Sequence, residues 1–428
     1  MSSALQRAAF ACALYLLSSS ALRAAEEFVS PLELSLARAI ETALARNPDL
    51  VASRYALTAA QARIKQAGLR VNPQLDAEFE NFAGSGASRG VDSLESTLSL
   101  GQVIELGGKR ALRQAAAEAD RDVVSVEQRA RELDVLAEVT RRYIDVVAAQ
   151  ERVRSTQQGA RLARQTLDAI RVRVAAARSP LAEQSRAQIA LTRALLAEQQ
   201  AAGELRAARY SLASLWGDPE PAFASVNGEL FRAETLPSFQ AFFNRLERTP
   251  ESLRFASEAR LRDAELRLAV AQARPNIAVG IGVRRFEAAG DTALVAGFSV
   301  PLAMYDRNQG AIREARARRA QTDAERIAAL TRTRASLFAV YQQMTSARTR
   351  TDTLRTEALP LAQTALEQTQ AGYERGRFSF LELASAQQEL LELQSASIDA
   401  AADFYRFRGE LERLTSEPLT TPLEAPQP

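Results

Sequence analysis

The residue types that perform most protein chemistry are nearly absent from this sequence. Histidine does not occur, and the single cysteine is Cys12. The chain therefore lacks the groups needed for Ser-His triads, for further cysteine nucleophiles and for zinc sites with imidazole or several thiolate ligands. Carboxylates are plentiful, but no spacing among them indicates a paired acid and base. We expect no enzyme activity, no cofactor and no metal site.

One short phrase resembles a phosphate-binding loop, namely Gly107-Gly108-Lys109. A P-loop needs two separated glycines followed by Lys and Ser or Thr, and this phrase lacks that pattern. A related phrase farther along the chain contains Gly310 and no lysine. Glycine adopts backbone angles that other residues avoid, which suits an abrupt turn from a strand into a helix. We therefore interpret Gly107, Gly108 and Gly310 as strand-to-helix junctions.

The phrase around Gly310 belongs to a repeat that runs through most of the sequence. Pro48 recurs as Pro250, a shift of 202 residues, and farther along Ser179 recurs as Ser379, a shift of 200. A repeat unit of about 200 residues favours one architecture built from two copies over two or three ordinary domains.

Each copy contains two segments in which apolar and polar residues alternate, which is the period of a β-strand. They lie at about 74–82 and 93–102 in the first copy, and at about 276–285 and 292–301 in the second. Strands of about 9 to 11 residues can cross a bilayer when tilted. A soluble hairpin is the alternative, but an isolated hairpin is marginal in water. Because four strands cannot close a membrane barrel, several chains must contribute strands.

The alternation also predicts which side chains share a face of the strands. In membrane barrels, lipid-facing and lumen-facing residues alternate. The face expected to line the interior carries Asp76, Glu78, Glu80 and Glu95. The face expected to meet lipid carries Leu75, Phe79, Leu94 and Leu98.

Helical periodicity fills the rest of each copy. Residues 109–177 and 309–373 predict two long helices, each spanning roughly 100 Å at 1.5 Å per residue. A turn at Ser179-Pro180 in the first copy, or at 376–379 in the second, starts a returning helix. Shorter segments come before the strand pairs, at 32–46, 49–69 and 237–273.

The ends and the middle of the chain have different compositions. Residues 1–25 predict a secretory signal peptide, with a positive Arg7, an apolar stretch and cleavage between positions 21 and 25. The first repeat covers 26–216, the second covers 237–416, and a linker of irregular structure covers 217–236. The Pro-rich segment 417–428 is expected to be disordered.

The junction and turn phrases resemble one known family. The phrases at 102–110 and 305–310, with the turns at 178–181 and 376–381, are similar to the TolC-type outer-membrane efflux proteins. The two junction phrases resemble its cobalt-zinc-cadmium branch, the CzcC-like proteins. This resemblance covers essentially all of the mature chain.

The resemblance implies a mostly α-helical fold with a membrane β-barrel contribution. Each chain would supply four strands, and a homotrimer would close a 12-stranded barrel in the outer membrane of a Gram-negative bacterium, with a long periplasmic α-helical tunnel below it. The helical tips would meet a periplasmic adaptor protein that links them to an inner-membrane proton-driven pump. The expected tip residues are Ser179, Pro180, Leu181, Gly376, Ser379 and Leu381.

The resulting hypothesis is a passive exit duct for heavy-metal cations in a tripartite efflux system. A duct for drugs or secreted proteins would share every feature described above. A soluble periplasmic coiled-coil adaptor is the third reading, although it needs one helical hairpin rather than a duplication. The net charge of +2 gives no electrostatic reason to expect a nucleic-acid partner.

Overall fold

The computed structural model describes residues 33–232, 236–245 and 249–416. The predicted signal peptide at 1–25 and the predicted tail at 417–428 lie outside the described residues. Within these ranges the chain is mostly helical. None of the helices described is long and apolar enough to cross a membrane.

The strands form two sheets. In chain order they are β1 (Glu33–Leu34), β2 (Gln74–Glu80), β3 (Glu95–Ile104), β4 (Ser225–Val226), β5 (Ile277–Phe286) and β6 (Asp291–Ser299). β1 and β4 pair in parallel, whereas the other four form an antiparallel sheet in the order β2-β3-β5-β6. The larger sheet therefore joins the two hairpins through β3 and β5. β3 extends past its predicted end to Ile104 because it pairs with β5 as far as Ile277.

The helices follow the order in which the sequence predicts them. They are α1 (Leu36–Arg46), α2 (Pro48–Ala67), α3 (Lys109–Ala175), α4 (Leu181–Ala213), α5 (Phe239–Phe243), α6 (Pro250–Gln272), α7 (Gln309–Thr353), α8 (Leu359–Glu374) and α9 (Phe380–Thr415). α3 has 67 residues without a break. A straight helix of that length spans roughly 100 Å.

Asn47 separates α1 from α2 and caps the second helix. Its side-chain oxygen accepts hydrogen bonds from the N–H groups of Asp49 and Leu50, while Pro48 occupies the first helical turn. These are the preferred roles of Asn and Pro at a helix start. The Asn47 amide also donates to the buried carbonyl of Leu215 at 2.8 Å, which ties this boundary to the end of the first repeat.

The second long helix differs from its expected continuous form. The sequence predicts one helix over 309–373, but a π turn at Leu354–Ala358 separates α7 from α8. Pro360 lies in the first turn of α8. Proline has no N–H for the helical ladder and its ring crowds the preceding turn, so a wider turn accommodates it. The first repeat has no proline at the corresponding place, and α3 is unbroken there.

The described part of the linker contains one short strand and is otherwise without helix or strand. Its strand β4 pairs with β1, and Gln150 on α3 binds both main-chain groups of Val226, accepting from its N–H at 2.8 Å and donating to its carbonyl at 3.0 Å. The hydroxyl of Tyr143 donates to the carbonyls of Leu34 and Asn227. These bonds hold β1 and the linker against α3.

Buried side chains form two clusters along the helices. The larger cluster surrounds the linker and includes Tyr143, Trp216, Phe242 and Tyr405. The smaller cluster lies near the turns between the long helices and their returning partners, where Leu167, Ile170, Leu383 and Leu390 pack together. Burial of a large apolar side chain contributes about 1.5–3 kcal/mol. Both clusters contain residues of both repeats, so they hold the repeats together, as the pairing of β3 with β5 also does.

Candidate functional site

The four-stranded sheet has one polar face, on which Arg284 of β5 lies close to the strand ends that are remote from the helices. The guanidinium lies 3.2 Å from Glu80 and 3.1 Å from Glu95, and its Nε donates to the hydroxyl of Thr97 at 2.8 Å. The strand register places the other acidic residues of this face, Asp76, Glu78 and Asp291, in the same alternating set. One arginine therefore faces five carboxylates on this side of the sheet.

The opposite face of the sheet is apolar and open. Leu294 and Phe298 on the edge strand β6 are 80% and 82% exposed, and Leu75 on β2 is 69% exposed. Further exposed members of this face are Phe79, Leu98, Leu100, Ile104, Val279, Ile281 and Val283. Leu94, which the sequence assigns to the same set, lies just before the first residue of β3. Contiguous apolar surface of this kind marks a contact with lipid or another protein.

Glycines cross the polar face in a row. Gly101, Gly280 and Gly297 are directly paired on β3, β5 and β6. Gly282 is the tightest position, since a Cβ atom added there would lie 2.5 Å from the carbonyl oxygen of Leu98 and within 2.8 Å of the neighbouring residue on β3. Glycine in a strand interior marks such a close backbone approach.

The first strand-to-helix junction uses both of its glycines for backbone geometry. Gly107 and Gly108 have φ values of 75° and 71°, in the left-handed region. Lys109, which follows them, donates to the carbonyl of Arg274 at 2.5 Å and to the side chain of Asn276 at 2.6 Å. Its ammonium group therefore fixes the entry into β5. The lysine of the Gly-Gly-Lys segment therefore has a structural role at the junction.

Arg113 completes the first junction by joining three elements. Its guanidinium forms a bidentate ion pair with Glu105 at 2.7 and 3.2 Å, and donates to the carbonyls of Ala67 and Leu69 at the end of α2. The hydrogen bond from Arg113 lowers the pKa of Glu105 below its usual range, and the pKa of Arg113 is raised in return. The ion pair joins the exit of β3 to α3, and the two hydrogen bonds to carbonyls join α3 to the end of α2.

The second junction differs from the expected one in the residue that bends the chain. The sequence assigns this role to Gly310, but Gly310 lies in the first turn of α7 and the left-handed residue is Asn308, with φ of 57°. Asn308 stands 200 residues after Gly108, and Asn tolerates this conformation better than most residues. Its amide donates to the carbonyl of Ala269 at 2.7 Å, the position in α6 that corresponds to Ala67 in α2.

The two turns at the far ends of the long helices are built differently. In the first, Ala177 has φ of 56°, and Pro180 precedes α4, which begins at Leu181. In the second, Gly376 has φ of 74° and Ser379 caps α9. Ser379 and Glu382 form a reciprocal capping box, and the hydrogen bonds from Ser379 lower the pKa of Glu382.

Side chains connect these two turns across the repeat boundary. Arg173 donates to the carbonyls of Tyr373 and Glu374 at 3.1 and 3.2 Å, and its guanidinium lies 4.8 Å from the centre of the Tyr373 ring. The Tyr373 hydroxyl donates to Glu183 at 3.2 Å. Burial raises the pKa of Tyr373, so the phenol stays protonated as the donor. Sequence spacing gave no sign of this contact, because its partners are about 200 residues apart.

The predicted tip leucines are exposed in both turns. Leu181 is 72% exposed and Leu381 is 67% exposed, each at the start of a returning helix. Phe378 packs one edge of its ring on Gly372, where an added Cβ atom would lie 2.1 Å from the ring, although the side chain remains 42% exposed. Among the described residues, no group of three or more carboxylates could hold a metal ion.

A family model and individual relatives match this chain and agree on the class of protein that it resembles. The family model described as outer membrane efflux protein matches residues 39–218. The chain is 30% identical over 387 residues to the cobalt-zinc-cadmium resistance protein CzcC of Cupriavidus metallidurans, covering 89% of this chain and 90% of that protein. It is 24% identical to the nickel-cobalt-cadmium resistance protein NccC of Alcaligenes xylosoxydans xylosoxydans, covering 84% and 74% of the two chains.

Solved structures show the same fold. The structure of CusC gives a TM-score of 0.74 at 18% identity and covers 89% of this chain and 91% of that one. The outer membrane protein VceC of Vibrio cholerae gives a TM-score of 0.73 at 19% identity, covering 90% and 96%. The likeness extends over the sheet and the long helices together, because it spans nearly the whole of each chain.

Proposed function

The chain belongs to the outer membrane efflux protein family, and from that premise we propose that it is the exit duct through which heavy-metal cations leave the cell. Membership confirms the resemblance that the junction and turn phrases predict, and it places the protein in the Gram-negative outer membrane as an efflux channel. The observation that carries the proposed cargo is the 30% identity to CzcC over nine tenths of both chains. NccC, whose name also refers to metal resistance, supports the same class of cargo.

The polar face of the sheet suits a cationic cargo. Glu80, Glu95 and Asp291 lie at the ends of the strands that are remote from the helices, where the loops between the paired strands begin. With Arg284 as their one basic neighbour on this face, the carboxylates make the outer end of the path negative. A field of this sign raises the local concentration of cations without holding them in a closed site. Passive conduction requires binding of that weak kind.

The open edges of the sheet support assembly into a trimer. β2 and β6 each pair with a single strand of the described chain, and their outer edges carry free main-chain groups. In lipid such groups must be paired, so a sheet within a bilayer has to close. Three chains would supply twelve strands, with β6 of one chain beside β2 of the next. The apolar face would then meet lipid and the polar face would line the lumen.

The tips are the proposed docking surface for a periplasmic adaptor protein, which would connect the duct to an inner-membrane proton-driven pump. The residues involved are Ser179, Pro180, Leu181, Gly376, Ser379 and Leu381. Transport energy would come from the pump, and the duct would perform no catalysis. The exposed Leu181 and Leu381 support this assignment because burial of apolar surface favours association with a partner.

A deletion strain tests the proposed cargo. Loss of the chain should increase sensitivity to cobalt, zinc and cadmium salts, and plasmid-borne wild-type protein should restore resistance. Sensitivity to hydrophobic drugs and dyes, measured in parallel, should stay unchanged. Drug sensitivity with normal metal tolerance would instead assign the duct to organic compounds. Recovery of the protein from the soluble periplasm as a monomer would contradict the duct itself.

A further inference from the structure

The edge strand β6 is shorter than its counterpart in the first repeat. β3 continues to Ile104, whereas β6 ends at Ser299, before the positions that correspond to the last part of β3. Residues 300–304 form neither helix nor strand, and Leu302 among them is 80% exposed. β3 lies between two strands, whereas β6 has a neighbour on one side within the described chain. The missing length of β6 therefore coincides with a missing neighbour.

The internal repeat relates the two hairpins of the sheet residue by residue. β2 corresponds to β5 at a shift of 202, and β3 corresponds to β6 at a shift of 200. The observed register confirms both shifts, because they convert the pair Asp76–Ser99 of the first hairpin into Ala278–Ser299, which is a pair of the second. The same shifts convert the pairing of β3 with β5 into an expected pairing of β6 with β2 of another copy.

The observed pair Leu100–Ile281 of β3 and β5 becomes Val300–Phe79 under these shifts. We infer that residues 300–304 complete β6 as a strand on β2 of a neighbouring copy, in the register that places Val300 opposite Phe79. This pairing rests on the proposed trimer and adds to it the residues in contact and a segment that becomes ordered on assembly. The pairs that follow are Pro301–Glu78, Leu302–Ala77, Ala303–Asp76 and Met304–Leu75.

The side chains in this register match on both faces of the sheet. The neighbours on the apolar face would be Val300 with Phe79, Leu302 with Ala77, and Met304 with Leu75. On the polar face, Ala303 would lie beside Asp76 and leave the carboxylate in contact with water. A slip by one residue would turn every side chain of the segment to the opposite face, so that Leu302 and Met304 would enter the polar side.

Pro301 fits this register because its missing N–H is not needed there. Glu287 donates to the carbonyl of Leu94 at 3.0 Å, so that pair of the β3–β5 register is hydrogen-bonded. Hydrogen-bonded and non-hydrogen-bonded pairs alternate along an antiparallel ladder, so Gly101 belongs to a non-hydrogen-bonded pair with β5. Pro301 corresponds to Gly101, and its nitrogen therefore points away from the neighbouring copy and toward β5. Because proline cannot donate, the pairing of β6 with β5 ends at Ser299.

A competing register would pair β2 with the present length of β6 and leave 300–304 unused. It requires β6 to slide six residues, roughly 20 Å at about 3.3 Å per residue, and places Gly297 opposite Asp76. The first repeat disfavours this slide. Lys109 at the start of α3 donates to the carbonyl of Arg274, just before β5, which sets the level of the helix against the neighbouring strand. The slide would move α7 by the same distance along β2 of the neighbour.

Paired cysteines distinguish the two registers. Cys12 is the only cysteine, so the full-length Cys12→Ser protein is the parent. Asp76→Cys is combined either with Ala303→Cys or with Gly297→Cys, and an added Cβ atom at Gly297 meets open space. Directly opposite residues of a non-hydrogen-bonded pair lie about 4.5 Å apart at Cα, within the range of a disulfide. Mild oxidation should join the Ala303→Cys combination into covalent trimers and leave the Gly297→Cys combination monomeric on a denaturing, non-reducing gel.

The mass of each protein in mild detergent separates the register from the assembly itself. A trimer in which the Gly297→Cys combination crosslinks, or in which neither combination does, would overturn the inferred register and leave the proposed trimer standing. A monomer in detergent without oxidant would overturn both.

A matched pair of prolines tests whether residues 300–304 become a strand. Leu302 lies at a hydrogen-bonded position of the inferred ladder, where its N–H would donate to the carbonyl of Ala77 in the neighbour, whereas the N–H of Ala303 would point away. Leu302→Pro should lower the temperature at which the trimer dissociates in sodium dodecyl sulfate, and Ala303→Pro should leave it close to the wild-type value. Equal dissociation temperatures for the two variants would overturn the ordering of this segment.

Discussion

Substitution of Leu98 by Arg tests the assignment of the two sheet faces. Leu98 lies in the interior of β3, between Ala77 on β2 and Val283 on β5, and it is 54% exposed on the apolar face. If this face meets lipid, the guanidinium must enter hydrocarbon. The control variant is Ser99→Arg, one residue along the same strand. The side chain at this position lies on the polar face, beside Asp76.

The two variants differ in face but scarcely in depth, so their difference isolates the contact with lipid. An arginine on the lipid face near the bilayer midplane destabilises a membrane barrel by about 2–4 kcal/mol. That corresponds to a change of roughly thirty- to several-hundred-fold in the equilibrium between folded and unfolded protein. At position 99 the arginine meets water and the Asp76 carboxylate, so we expect a change within about 0.5 kcal/mol.

Reversible unfolding in guanidinium chloride, with the protein in lipid vesicles, measures both free energies. The yield of each variant in the outer-membrane fraction gives an independent check of insertion in the cell. Equal destabilisation by Leu98→Arg and Ser99→Arg would refute the assignment of the faces. Greater destabilisation by Ser99→Arg would show that the faces are reversed.

Three further changes test the sheet, the junction and the tip. Gly282→Ala should destabilise the sheet by about 1–3 kcal/mol, because the added Cβ atom would overlap the main chain of the adjacent strand. Chemical unfolding measures this loss. Gly297→Ala is the control and should be nearly neutral, because its added Cβ atom would lie in open space. The pKa of the Glu105 carboxyl is lowered in the folded protein. Its ion pair with Arg113 therefore stabilises the fold at pH values above the pKa of Glu105 in the unfolded chain. This stabilisation is lost as the pH falls through the pKa of Glu105 in the folded protein. Glu105→Gln should therefore lower the unfolding temperature at pH 7 and have little effect at strongly acidic pH. Leu381→Glu should abolish metal resistance and adaptor crosslinking while leaving the yield in the outer membrane unchanged; unchanged crosslinking would exclude Leu381 from the contact.

Local periodicity was sufficient to predict the strands and their faces. The alternation around Asp76 and Leu75 depends only on the two-residue period of a strand, and the register places these residues on opposite sides of the sheet. The duplication likewise predicts which hairpins and helices correspond. Neither the alternation nor the duplication predicts the order of the strands in the sheet. That order depends on the pairing of β3 with β5, which is a contact between distant parts of the chain.

The features that sequence patterns missed arise from tertiary contacts or from substitution of one residue type for another. Asn308 replaces glycine in the left-handed position, so a search for glycine selects Gly310, which is helical. Pro360 was the available signal for the π turn, since a proline inside a helical pattern predicts a break or a kink. The contact between Arg173 and Tyr373 had no local signal of any kind.

At the strand-to-helix junctions the two repeats keep the same main-chain geometry, although their side chains differ. The carbonyl at the end of α2 is bound by Arg113, whereas the corresponding carbonyl at the end of α6 is bound by Asn308. In the proposed trimer, each unit would need equivalent strands and helices, because every unit would have to fit the same neighbours. It does not need the same donor at each junction, provided that the carbonyl is paired. Side chains can therefore diverge wherever the main chain is held, as Arg113 and Asn308 do at these two carbonyls.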